Sequence, residues 1–219
     1  MEENLIAKIR IENLIVEAEN FKIENKSDLI SYPEFIEYFK SISEINKHNL
    51  IIGINFTYGW MPTIFDFRTT EIEKNIDLAV QILNRAKSGK DLETKDYELL
   101  KSLLNNSLVG STKLLHFINP EKYAIWDSRV FRFLHNQEPH DYRIGNIQNY
   151  IQYQTLLQNL TKEKRFSEFY QLMSSKLEYD FFSRKQLKWY LKPNDPIVEN
   201  FILEPFDLLI NLCMNYKTP

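Results

Sequence analysis

The feature that most constrains this chain is the recurrence of apolar residues at helical spacing, punctuated by residues that stop helices. From Glu71 to Ser88, the residues Ile72, Ile76, Ala79, Val80 and Leu83 repeat on one helical face, and Gly89 follows where a C′ residue is needed. Thr94 suits the N-cap of the next helix, which carries Leu99 and Leu100, so two antiparallel helices are expected. The same spacing predicts helices over Asn146–Leu160, Phe166–Leu177 and Phe182–Leu191. Pro193 and Pro196 mark a loop, and a last helix is expected across Ile197–Met214. Near the start, Leu5, Ile9, Leu14 and Ile15 suggest a helix, and Ser31-Tyr-Pro-Glu opens a second one with Pro33 in its first turn. Residues 50–67 are the most apolar stretch and read equally well as a buried strand or a buried helix, broken near Gly59 and Pro62. The expected fold is mainly α, with eight to ten helices and little or no sheet. One helical domain over 1–219 is expected, or two packed helical subdomains meeting at segment 99–135.

Composition narrows the function classes. At 43% hydrophobic and 26% charged, the chain supplies enough apolar surface to offset chain entropy. Cys213 is the only cysteine, which excludes an intramolecular disulfide and a cysteine-only zinc site and fits a reducing compartment. The N-terminal residues lack the pattern of a signal peptide, and no window approaches the roughly 20 apolar residues of a membrane span. A cytoplasmic protein with no membrane association is expected. The net charge of −3 is unevenly spread: acidic residues outnumber basic ones over 1–50, and the reverse holds over 162–192. A nucleic acid, if one binds, would meet that second region, with solvated helix faces as the commoner use of Lys162, Lys164, Arg165, Arg184, Lys185, Lys188 and Lys192. His48, His116, His135 and His140 show no metal-ligand spacing, and there is no glycine-rich phosphate loop, so no metal or cofactor is expected.

The segment with chemical content runs from Leu108 to Arg129. The chain is expected to turn at Val109-Gly110-Ser111, run as a helix from Thr112 to Ile118, and stop at Asn119-Pro120. A short extended link, Tyr123-Ala-Ile-Trp126, leads to Asp127 and Ser128, either of which can cap a helix from Arg129 to Leu134. This order, with Gly110 in a hairpin, Lys113 early in the following helix and Asp127 at the start of the next, resembles the helix-hairpin-helix DNA glycosylase superfamily. The string from Lys113 to Val130 is similar to uncharacterised bacterial proteins with an 8-oxoguanine DNA glycosylase-like fold.

The resemblance implies a protein that extrudes a modified or damaged base from duplex DNA and cleaves its N-glycosidic bond, with an associated abasic-site lyase activity. It implies Lys113 as the nucleophile, which attacks only as the neutral amine, and Asp127 as the carboxylate that positions it or stabilises the cation. The amides of Val109, Gly110 and Ser111 would seat a phosphate, and Arg129 and Arg132 would touch the backbone. Phe117 and Trp126 are candidates to stack on the extruded base, with core packing as the commoner use of such aromatics. Tyr58 and Trp60, in Tyr58-Gly-Trp-Met-Pro, are further candidates to line a base pocket, again with the core as the alternative. A different class of function stays open: a non-catalytic module of the same fold that binds nucleic acid or a protein partner, for example in bacterial phage defence.

Overall fold

Local capping chemistry decides where this chain divides into helices. The computed structural model describes residues 10–20, 28–61, 63–66 and 69–183. Its helices are α1 (Ile11–Asn20), α2 (Asp28–Ser41), α3 (Lys47–Gly59), α4 (Thr69–Lys87), α5 (Thr94–Leu103), α6 (Leu108–Ile118), α7 (Ser128–His135), α8 (Asp141–Ile144), α9 (Ile147–Leu160) and α10 (Phe166–Ser183). The fold is mainly α, and no strand occurs among the described residues. None of the described helices is long and apolar enough to cross a membrane.

The apolar stretch that begins at Leu50 is a helix. Asn46 and Asn49 form a reciprocal cap at its start, each side-chain oxygen accepting the other residue's backbone N–H, at 3.0 and 3.1 Å. That cap satisfies amides that a strand would have offered to a neighbour. α4 closes as expected at Gly89, which has φ 75°: Lys90 N–H donates to Arg85 O and Gly89 N–H to Ala86 O, the paired bonds of a Schellman end.

Several boundaries differ from the sequence reading. α2 begins at Asp28, so Pro33 lies inside it rather than in its first turn. Thr94 is the first helical residue of α5 and Glu93 is the cap, because the Asp96 carboxylate takes the Glu93 N–H at 2.8 Å and draws the start one residue upstream. α10 runs without a break past Leu177 to Ser183, since no Gly or Pro interrupts it. The expected helix across Ile197–Met214, most of that from Phe182 to Leu191, the Pro193–Pro196 loop, Cys213, and Leu5 and Ile9 lie outside the described residues.

One apolar cluster draws on nearly every element. Leu14 of α1, Phe39 of α2, Ile54 of α3, Leu83 of α4, Leu100 of α5, Leu114 of α6, Phe131 of α7, Tyr153 of α9 and Phe169 of α10 are all buried in it. α6 lies at its centre, packed against α2, α3, α4 and α5, and most of its side chains are buried. The segment with chemical content is therefore also the helix around which the core is built.

A candidate site around Lys113

The hairpin before α6 is not where the glycine suggested. Val109, Gly110 and Ser111 belong to the first turn of the helix, and the reversal is made by Leu104–Ser107, with Asn105 and Asn106 at φ 53° and 57°. Asparagine tolerates this left-handed region better than other non-glycine residues, so the turn needs no glycine. Ser107 caps α6: its side-chain oxygen accepts the Gly110 N–H at 3.0 Å, and its carbonyl accepts the Ser111 N–H at 3.1 Å. Two of the three amides expected to seat a phosphate are thus spent inside the helix.

Gly110 has a different task. A Cβ there would stand 3.2 Å from the Tyr58 hydroxyl, which passes over it to donate to Leu104 O at 2.7 Å. Tyr58 closes the α5–α6 turn from α3, and burial pushes its phenol up to about 12, so it remains a donor at neutral pH. Two residues singled out for base recognition and phosphate binding therefore meet each other, as a structural clasp.

Thr112 links α6 to the extended segment after it. Its hydroxyl oxygen accepts the Trp126 N–H at 3.1 Å and lies 3.3 Å from Trp126 O. Lys113 and Asp127 each follow one of these two residues in the chain. Asp127 is the N-cap of α7, and one carboxylate oxygen accepts both Arg129 N–H and Val130 N–H, each at 2.9 Å. Lys113 is half-buried, with Nζ 5.1 Å from the centroid of the Trp60 ring, a cation–π arrangement.

The aromatic candidates separate into two groups. Phe117 and Trp126 have no exposed surface, and the Trp126 indole N–H donates to Ile144 O at 2.8 Å, so the faces of both rings are occupied by the core. Tyr58 is buried as well. Trp60, at the C-cap of α3, is only half-buried, and its indole nitrogen has no hydrogen-bond partner among the described residues. Arg129 is exposed, and Arg132 is half-buried with its guanidinium 3.8 Å from Glu138. Of the basic residues over 162–192, Arg165 pairs with Glu168 at 2.8 Å, and those from Arg184 onward lie outside the described residues.

The sequence reading did not single out Tyr32 and His116 for a site. His116 has no exposed surface and sits one turn after Lys113 on α6. Its Nδ1 is 2.6 Å from Tyr123 O, and because a carbonyl only accepts, Nδ1 carries a proton. In the neutral ring Nε2 is then an acceptor, and the Tyr32 hydroxyl donates to it at 2.7 Å. The Tyr32 ring is 5.9 Å from that of Trp60, so Tyr32 and Lys113 both lie against the same indole. The only local signal was the Lys113-x-x-His116 spacing.

Among the described residues, no group of three or more His, Cys, Asp or Glu side chains comes together in a way that could hold a metal ion. Residues 135–219 match the model of DUF6913, a family of unknown function. That match covers α8, α9 and α10 and begins beyond Lys113 and Asp127. No curated protein and no solved structure matches the chain.

Proposed function

We propose that this chain is a DNA glycosylase-like protein that acts on a base extruded from the duplex, with Lys113 as the attacking amine and Asp127 as the carboxylate beside the developing cation. The observation that supports the reading is the Thr112–Trp126 tie, which joins the residues that immediately precede Lys113 and Asp127 in the chain. The neutral amine adds at the anomeric carbon as the glycosidic bond breaks towards the base. Opening of the sugar ring then gives a Schiff base on Lys113. Asp127 uses one oxygen to start α7, so its charge is fixed at a helix N-terminus by the fold itself. Of the four aromatic candidates only Trp60 is half-buried rather than buried, which leaves it as the one to meet a planar base in this reading.

The experiment is borohydride trapping on duplexes carrying oxidised guanine or an abasic site. The expected result is a covalent adduct that disappears in Lys113→Ala. Absence of any Lys113-dependent adduct across the panel would sink the reading.

A second reading is favoured by the use of the Gly110 amide within α6 and by the burial of Phe117 and Trp126. It is a non-catalytic module of the same fold, binding nucleic acid or a protein. Salt-dependent association with DNA and no adduct would select the nucleic-acid form of that module.

A further inference from the structure

We infer that the surface from His140 to Lys162 is a binding site for single-stranded nucleic acid, with a base stacked on Tyr142 and the strand lying along the exposed amide row of α9. This site depends neither on Lys113 nor on the glycosylase reading.

Of the Phe, Tyr and Trp residues described before α10, Tyr142 alone is exposed, with 70% of its surface open. Its backbone is nevertheless fastened to three other elements. Arg143 O accepts from the Asn149 side chain at 3.0 Å, Ile144 O from the Trp126 indole at 2.8 Å, and Gly145 O from Lys101 Nζ at 2.9 Å. The exposed His140 ring lies within 12° of parallel to the phenol, with centroids 5.8 Å apart. The Arg143 guanidinium lies over the Tyr142 ring at 5.4 Å and is itself held by Glu138 O at 3.0 Å. Phenol, imidazole and guanidinium are the flat groups on which unpaired bases stack, and here they are gathered on a rigid mount. Little ordering entropy remains to be lost when a base arrives.

The helix that follows has the matching chemistry. Among the described helices, α9 alone carries no charged residue. Faces that meet only water elsewhere in the chain carry charges, such as Lys74 and Asp77 on α4 or Lys95 and Glu98 on α5. The exposed ridge of α9 is Gln148, Gln152, Thr155 and Asn159, spaced as one helical face about 16 Å long. The side chains of Gln148, Gln152 and Asn159 make no hydrogen bond among the described residues, so each offers both a donor and an acceptor to a base edge. From Tyr142 to Lys162 the chain has two cations, Arg143 and Lys162, and no carboxylate to repel a phosphodiester backbone. Glu138 and Asp141 precede Tyr142, and the Glu138 carboxylate is 3.8 Å from the Arg132 guanidinium.

Stacking selects the kind of strand. In a duplex the base faces are covered by their neighbours, whereas an unpaired base presents its face to Tyr142 and its edge to the amides. With only two cations along the row, binding draws on stacking and amide contacts more than on counterion release.

The test is fluorescence anisotropy of the full chain with labelled single-stranded DNA and RNA of one mixed sequence, beside the annealed DNA duplex. Wild type is expected to bind at least one single strand, and the tighter of the two names the sugar. Tyr142→Ala should weaken that binding about fivefold to a hundredfold, the loss of one base stack, and leave duplex binding unchanged. Tyr142→Phe keeps the ring face and should bind like wild type. The double variant Gln148→Glu, Gln152→Glu sets carboxylates along the row and should weaken binding, more so as salt is lowered. All three positions are exposed, so the variants keep the fold, which circular dichroism checks. No binding of either single strand, equal affinity in Tyr142→Ala and wild type, or an equal loss on duplex overturns the site. An unchanged affinity in the double glutamate variant overturns the path along α9.

Discussion

The side chain of Thr112 answers the backbone of Trp126: its hydroxyl oxygen accepts the Trp126 N–H at 3.1 Å, and its proton is shared between Val109 O at 3.1 Å and Trp126 O at 3.3 Å. Both residues have no exposed surface, so no solvent replaces these bonds. Thr112→Val keeps the shape of the side chain and strands a buried donor, and should cost about 1–3 kcal/mol in urea unfolding. Thr112→Ser keeps the hydroxyl and should recover most of that loss. If Lys113 and Asp127 act together as proposed, Thr112→Val, which loosens the link between the residues before them, should also weaken adduct formation beyond its effect on the folded fraction.

Asp127 has two duties that substitution can separate. Asp127→Ala removes the acceptor shared by Arg129 N–H and Val130 N–H and should cost about 1 kcal/mol, the usual loss of a good N-cap. Asp127→Asn keeps the capping oxygen and removes the charge, so thermal unfolding should barely change. If Asp127 also stabilises a cation, Asp127→Asn loses adduct formation at full stability. Equal adduct yields in Asp127→Asn and wild type would reduce the residue to a cap.

Gly53 lies in α3, where alanine would ordinarily stabilise the helix by about 1 kcal/mol. Here the sign reverses. A Cβ would stand 2.5 Å from Phe39 Cζ and 2.8 Å from Leu114 Cδ1, and both of those side chains are fully buried in a close-packed core. Gly53→Ala should therefore destabilise by about 1–3 kcal/mol, the cost typical of overpacking a core. An unchanged or raised denaturation midpoint would mean that α2, α3 and α6 separate more easily than their packing implies.

How much of this could be read from the sequence depends on whether the deciding interaction is local. α4 and α9 are legible because spacing, Gly89 and the Asn146 cap all lie within one helix. α3 was ambiguous because its apolar residues surround the helix, and only the Asn46–Asn49 cap resolves it. Glycine, the commonest left-handed residue, points to Gly110 for the hairpin, whereas Asn105 and Asn106 make the turn and Gly110 answers to Tyr58 on another helix. Tyr32 and His116 were hidden for the same reason: they are 84 positions apart, and neither has a neighbour in sequence that betrays the other. The Phe117, Trp126 and Tyr58 rings carried the right chemistry for stacking, but burial is a property of the whole core.

His135 ties stability to pH. It stacks on Phe131 with ring centroids 4.4 Å apart, and its Nε2 is buried with no hydrogen-bond partner among the described residues. Burial, and secondarily the nearby Arg143 guanidinium, lower its pKa from the ordinary 6.5, because both disfavour the imidazolium. The unfolded chain therefore binds more protons than the folded one in the window just below 6.5. Stability from this group is fully present above that value and is lost as pH falls through the lowered folded pKa. His135→Gln removes the titration, so the difference in unfolding free energy between wild type and variant should be constant above about pH 7.5 and shrink as pH falls from there towards 5. Parallel stability curves over that whole range would show that His135 titrates alike in the folded and unfolded chain.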